Sequence, residues 1–181
     1  LSTPSGKIEI FSAVIDGFGY ADCPGHAVWL EPFERLGGAG SDQFPLHLIS
    51  PQPKRKLHSQ YDQSAYSQAG KIRGREPLTL HPIAAAQRGI KAGDLLRVFN
   101  DRGACVVGAQ ISEGVKEDVV ILPTGAWFAP SHDEAGLELN GNPNVLTRDK
   151  GTSSLAQGPS AHTCLVDVVK LSEEELQALV V

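Results

Sequence analysis

Methionine is missing from all 181 residues, position 1 included. A translated chain begins with methionine, so this one reads as a processed or excised piece whose function belongs to something larger. Long hydrophobic runs are missing too. No stretch approaches the ~20 apolar residues of a membrane-spanning helix, and Leu1 to Ile15 lacks the layout of a signal peptide. Membrane insertion is not expected. Nor is there a surplus of positive charge: 16 Lys and Arg stand against 21 Asp and Glu, for a net charge of -5. Nucleic-acid and anionic-membrane surfaces need the opposite balance. Cysteine is scarce. Cys23, Cys105 and Cys164 are odd in number, far apart and without C-x-x-C spacing, which excludes a disulfide framework and a structural zinc site as expectations. They read as small buried hydrophobes.

What is present is enough for one domain, since 41% of the residues are hydrophobic. Residues 1–43 form a poor autonomous unit. "KIEIF" is a candidate strand, but "DGFGYADCPGHAVWLEP" is dense in turn residues and "GGAGSD" reads as a linker, so this lead is taken as the tail of a preceding domain. Residues 44–181 carry a different pattern. "PLHLIS" and "PLTLHP" are strand candidates separated by about 25 polar residues, a loop length that in compact domains is functional or disordered. Pro82 starts a short helix through Arg88, closed by Gly89 and preceded or capped by His81. "DLLRVFN" and "ACVVGAQIS" flank the tight turn "DRG" as a hairpin, "DVVILP" and "HTCLVDVVKL" add strands, and Ser172 with Glu175 forms a capping box on a last helix. Many short strands with little helix give an all-β barrel.

Two long polar stretches hold the candidate chemistry. "NGNPNVLTRDKGTSSLAQG", residues 140–158, has neither helical nor strand period. It is no P-loop, because its lysine precedes the glycine in "DKGTSS"; Thr152, Ser153 and Ser154 are candidates to cap a short helix through Gln157. No nucleophile elbow accompanies the six histidines. His47 reads as structural, whereas His58 and His162 lie in or beside polar loops and suit hydrogen bonding to a polar ligand. "PQPKRKLHSQ" sets Lys54, Arg55 and Lys56 beside His58, Ser59 and Gln60. Such a group is either a solvated basic turn or a site in which cations meet an anion while amides read a heterocycle. Asn142 and Asn144 of "NPNV" add further amides.

"LISPQPKRKLHSQ", "FNDRGACVVGAQIS" and "NPNVLTRDKGTSSLAQG", in this order, resemble the C-terminal cofactor-binding domain of the molybdenum S-oxide and N-oxide reductases: the dimethyl sulfoxide, trimethylamine N-oxide and biotin sulfoxide reductases. "TPSGKIEIFS" and "GFGYADCPGH" resemble the segment just before that domain. The resemblance implies a mainly β fold, an aspartate decarboxylase-like double-psi β-barrel with short helices and long ligand-facing loops. It implies a bis(molybdopterin guanine dinucleotide) molybdenum cofactor in the intact enzyme, with little or none held by this piece alone.

Carried over by position, the first loop offers Ser50, Pro51, Gln52, Pro53, Lys56 and His58 to the cofactor, with Ser59 and Gln60 beside them. The second offers Asn144, and the approach to the last strand offers Ala161 and His162. Gln52 stands where the family more often has histidine, and Lys56 where it has arginine, which removes the bidentate fork. No residue here is expected to ligate molybdenum or to be catalytic. The implied partners are the rest of the catalytic subunit, a small S-oxide or N-oxide and an electron donor protein or reduced nucleotide. The compartment, bacterial periplasm or cytoplasm, is left open. The competing expectation is a non-enzymatic barrel that binds a protein or an anion through "PQPKRK".

Overall fold

In the computed structural model, residues 1–178 are described. Two compact units divide the chain: Leu1–Phe33 with Asp149–Ser160, and Glu34–Arg148 with Ala161 onward. The first contains one short helix, α1 (Ala13–Asp16), capped by the Ser12 hydroxyl, which accepts from the Ile15 amide. "KIEIF" forms no strand. Ile8 and Ile10 are 82% and 84% exposed, and without a neighbouring strand to satisfy its backbone an alternating pattern does not make a strand by itself.

The second unit is a closed barrel. Its strands are β1 (Leu46–Ile49), β2 (Pro77–Leu80), β3 (Leu95–Asn100), β4 (Gly103–Ile111), β5 (Val119–Ile121), β6 (Leu137–Glu138) and β7 (Leu165–Lys170). The ring runs β2, β5, β1, β7, β3, β4 and returns to β2, which makes six strands, while β6 lies outside against β4. β1 is parallel to β5 and β2 to β4, whereas the remaining ring pairs are antiparallel. This is a double-psi type of barrel, the mainly β class that the sequence implies.

Alternation in sequence becomes inside and outside. Leu46 and Leu48 of β1, Leu78 and Leu80 of β2, Leu96 and Val98 of β3 all point into one core with Val120, Leu122, Val166 and Val168. β4 is buried on both faces, because Ala104 and Val106 pack against a second cluster with Leu137 and Leu171. Cys105 and Cys164 are fully buried and free, as expected of small hydrophobes; Cys23 is free and only half-buried.

The short helices follow their sequence signals. α3 (Pro82–Gln87) starts on proline, with His81 as cap: its Nδ1 accepts from the Ile83 amide. α4 (Glu173–Ala178) opens on the reciprocal bonds of a capping box, Glu175 amide to Ser172 hydroxyl and Ser172 amide to Glu175 carboxylate. α2 (Ala65–Gln68) interrupts the first polar loop, and β6 is two residues long; neither carries a periodic signal. The expected helix through Gln157 is replaced by a hairpin turn. Thr152 donates to the Gly158 carbonyl and Ser153 to that of Ala156, so the hydroxyl-rich run folds back on itself.

Candidate functional site at one end of the barrel

The strand directions send three connections to the same end. β1, β3 and β5 end there, and β2, β4 and β7 begin there. That loop end therefore carries residues 50–76, the two-residue turn Asp101–Arg102, and the long excursion from 122 towards β7. Every residue singled out as a cofactor contact lies on the first or the last of these. The opposite end holds α3 and the short 112–118 connection.

Parallel pairing of β1 and β5 continues beyond the strands, since Leu122 donates to the Ile49 carbonyl and Thr124 to that of Pro51 at 3.0 Å each. On the other side Leu48 donates to the Cys164 carbonyl, which extends the antiparallel pairing with β7 to the end of the strand. Ser50 keeps the inward alternation of Leu46 and Leu48. Its hydroxyl is buried with no hydrogen-bond partner among the described residues. A buried polar atom without a partner is costly, so in a functional protein it calls for one.

The 51–62 loop is braced from below. Lys56 is 2% exposed, with its ammonium 2.7 Å from both Asp62 and Glu76, and Lys71 approaches the Asp62 carboxylate at 3.1 Å. Burial pushes the Asp62 carboxyl up, but hydrogen bonds from Lys56, the Trp127 amide and Lys71 outweigh it and hold the group below its ordinary range. The expectation that Lys56 offers its charge to a ligand therefore meets a different geometry: in this structure the charge is neutralised internally. The basic run disperses as well. Arg55 donates to the Tyr66 carbonyl and stacks on the Tyr66 ring at 4.7 Å, and only Lys54 remains an open cation.

Above this brace the loop is strained and polar. His58, Tyr61 and Arg73, the only non-glycine residues with positive φ among the described residues, all lie on the β1–β2 connection. Gln52 Nε2 sits 3.2 Å from His58 Nδ1, while the backbones of Leu57 and Gln60 close a tight turn. Gly125 has to be glycine, because a Cβ there would run into the His58 carbonyl. Pro51 and Pro53 are half-buried, whereas Ser59 and Gln60 are exposed.

The second stretch is organised by Glu138, a residue that no sequence signal marks. Its carboxylate is 0% exposed and accepts four backbone N–H groups: Ala129 at 3.1 Å, Asn140 at 2.9 Å, Gly141 at 2.8 Å and Asn142 at 2.7 Å. The chain thus wraps around its own anion. Gly141 fits at φ 82, where a Cβ would come within 2.8 Å of Glu76 Cβ. Asn142 then caps the 3-10 turn Pro143–Val145: its Oδ1 accepts from the Asn144 amide and its Nδ2 donates to the Ala126 carbonyl. The Asn144 side chain is left exposed and without a hydrogen bond among the described residues. Ala161 is half-buried and His162 exposed on the turn into β7. The 149–158 half of the polar stretch belongs to the other unit, where Ser154 donates to Asp22.

Trp127 joins these parts. Its amide donates to Asp62 at 3.1 Å, its indole N–H to the Ser59 carbonyl at 2.8 Å, and its carbonyl accepts from Asn140. Asp62, Glu76, Trp127 and Glu138 all escaped sequence reasoning; for Asp62 and Glu76 the one sign was the long polar loop between two strand candidates, and Trp127 and Glu138 had none. Among the described residues no three His, Cys, Asp or Glu side chains converge on a metal position, and no helix is long and apolar enough to cross a membrane.

Residues 46–165 match the protein family described as Molydopterin dinucleotide binding domain. The chain is 52% identical over 168 residues to a biotin sulfoxide reductase of Cereibacter sphaeroides, covering 93% of this chain and 22% of that protein. It is 47% identical to a dimethyl sulfoxide/trimethylamine N-oxide reductase of the same organism, over 94% of this chain and 21% of the relative. A trimethylamine-N-oxide reductase of Haemophilus influenzae is 46% identical over the same shares. The chain thus spans about a fifth of the length of these relatives. In three dimensions it resembles the acetylene hydratase of Pelobacter acetylenicus, with a TM-score of 0.75 over 94% of this chain and 24% of that one, at 20% identity.

Proposed function

The chain belongs to the molybdopterin dinucleotide-binding domain family, and from that premise we propose that its loop end forms one wall of a molybdopterin guanine dinucleotide site in a larger oxidoreductase that reduces S-oxides or N-oxides. The observation that carries this reading is the unsatisfied Ser50 hydroxyl, buried at the end where the exposed Asn144 amide also has no hydrogen-bond partner among the described residues. A pterin or guanine has donors and acceptors along its edges, and hydroxyl, amide and imidazole groups match both kinds. The close approach of Gly125 to His58 holds the proline-rich backbone in place for the same task.

When bound, the molybdenum centre of a bis(molybdopterin guanine dinucleotide) cofactor supplies the oxygen-atom transfer and two-electron chemistry. This chain's residues bind and orient. The loop from Ser50 to Gln60, together with Asn144, Ala161 and His162, would hold the ligand through hydroxyl, amide, imidazole and backbone groups. Lys56 serves indirectly, by fixing the loop through Asp62 and Glu76. Metal ligation and substrate choice fall to the rest of the catalytic subunit, and electrons come from a donor protein or reduced nucleotide. Residues 44–181 are the binding domain in this reading, and residues 1–43 go with what precedes it.

The test is made in the intact enzyme. Asn144→Ala and His58→Ala are expected to lower molybdenum and guanine content per polypeptide while leaving the melting temperature of the apoprotein unchanged. Normal cofactor content in both variants would remove this reading.

A further inference from the structure

We propose that Trp127 is a stacking platform for one of the flat ring systems of the ligand, a bicyclic heteroaromatic of the guanine or pterin class. The proposal rests on the cofactor reading above and adds to it a residue and a mode of recognition. Tryptophan is large enough that a soluble domain ordinarily buries most of it. Here the residue is 52% exposed, although both of its N–H groups are held: the backbone amide by Asp62 and the indole by the Ser59 carbonyl. A side chain whose indole N–H is tied down, on a backbone that is itself anchored, has lost freedom without gaining full burial. The entropy of ordering is already spent, which is how a preorganised binding surface is made.

Its surroundings favour a flat ligand with polar edges over an apolar protein face. The indole is tied to the turn that carries His58, whose imidazole meets the Gln52 amide, and the Trp127 carbonyl accepts from Asn140, on the loop that leads to Asn144, whose amide has no partner among the described residues. An apolar partner would bury these groups unsatisfied, at a cost for each. A heteroaromatic ring satisfies them along its edge and covers the indole with its face. The opposite end of the barrel has no aromatic counterpart: its exposed large apolar side chains among the described residues are aliphatic, Ile83 of α3 and Val169 of β7.

The experiment uses this chain in a Trp29→Phe background, so that Trp127 is the only tryptophan. Guanosine 5'-diphosphate and 6-hydroxymethylpterin are titrated at millimolar concentration, with ribose 5-phosphate as the ring-free control. Saturable quenching of the Trp127 emission and upfield ring-current shifts of its indole protons by either ring ligand, without effect of the control, are expected. Trp127→Leu keeps apolar area but no aromatic face. It should weaken binding, followed at the His58 and Asn144 resonances, roughly five- to hundredfold, with Trp127→Phe losing less. Shifts at His58 and Asn144 with none at Trp127, or a leucine variant that binds as well as phenylalanine, would overturn the platform and leave the cofactor reading standing. Ring ligands that shift no loop-end residue would overturn the platform, whereas the cofactor reading falls only with normal molybdenum and guanine content in the intact variants.

Discussion

The two ends of the barrel share one hydrophobic core and differ in how they treat polar groups. At the helix end every signal closes locally: His81 caps α3, the Asp94 carboxylate accepts from the Lys91 amide at 2.8 Å and pairs with Lys170 at 3.1 Å, and Gly89 takes the positive φ that ends the helix. At the loop end, non-glycine residues hold positive φ, carboxylates and ammonium groups are buried together, a serine hydroxyl is stranded and aromatic side chains face solvent. The strained non-glycine φ values and the stranded hydroxyl each cost free energy in an isolated domain. The difference favours the loop end as the place of the proposed ligand. It also separates residues that hold the site from residues that touch what enters it.

Breaking the holding group should have the largest effect. Asp62→Ala removes the only carboxylate that Lys71 meets among the described residues, halves the compensation of Lys56 and strands the Trp127 amide. Loss of one member of a buried ion group costs about 3–5 kcal/mol, so the denaturant midpoint should fall well below that of the parent chain. A loss under about 1 kcal/mol, the surface-pair range, would show that the brace is ornamental. The same residue sets an acid limit. Its folded pKa is depressed, so its stabilisation is complete above the unfolded value of about 3.9 and is lost as pH falls through the lower folded value. Proton-detected exchange should find the 56–76 loop opening in acid before the helix end does, and Asp62→Asn should abolish that difference.

Glu138→Gln is the next test in size. An amide retains one acceptor oxygen and turns an NH₂ group towards backbone donors that formerly met a carboxylate. Hydrogen bonds to a buried charge are worth about 1.5–3 kcal/mol, so a stability loss in that range is expected, with faster amide exchange confined to Asn140, Gly141 and Asn142. Exchange rising equally at Ala85 and Arg88 of the opposite end would mean that the loop and the barrel open together, and the distinction between the ends would lose its basis.

The parts of this molecule that obey local rules were legible in the sequence. The β3–β4 hairpin, α3 with its histidine cap and the capping box of α4 follow from short motifs whose partners are a few residues away, while β1 and β2 follow from their apolar alternation although their pairing strands lie far along the chain. Lys56 was legible as a cation but not as a buried one, since its partner Glu76 lies 20 residues on and only the folded loop brings them together. Glu138 lay in plain view in "LELNGN", yet a carboxylate that binds four backbone amides has no pattern to announce it. "KIEIF" failed in the opposite way: the pattern was present and the partner strand was not. Polar loops are where long-range contacts replace periodicity, and so the site was visible as a region and not as a geometry.

The smallest effect should come from the end that carries no ligand chemistry. His81→Ala removes the Nδ1 acceptor for the Ile83 amide while Pro82 still presets the first helical residue. Lost caps cost about 0.5–2 kcal/mol, and this one should sit near the lower limit because it is exposed and water can replace the imidazole. The expected result is a small drop in melting temperature, with quenching of Trp127 by guanosine 5'-diphosphate unchanged from the parent chain. That contrast sharpens the comparison of the two ends, because a variant that loses stability without losing the ligand shows that a weaker barrel does not by itself mean an emptied site. If His81→Ala weakened the ligand as much as Asn144→Ala, the two ends would be coupled through the core, and losses at either could no longer be assigned to contact.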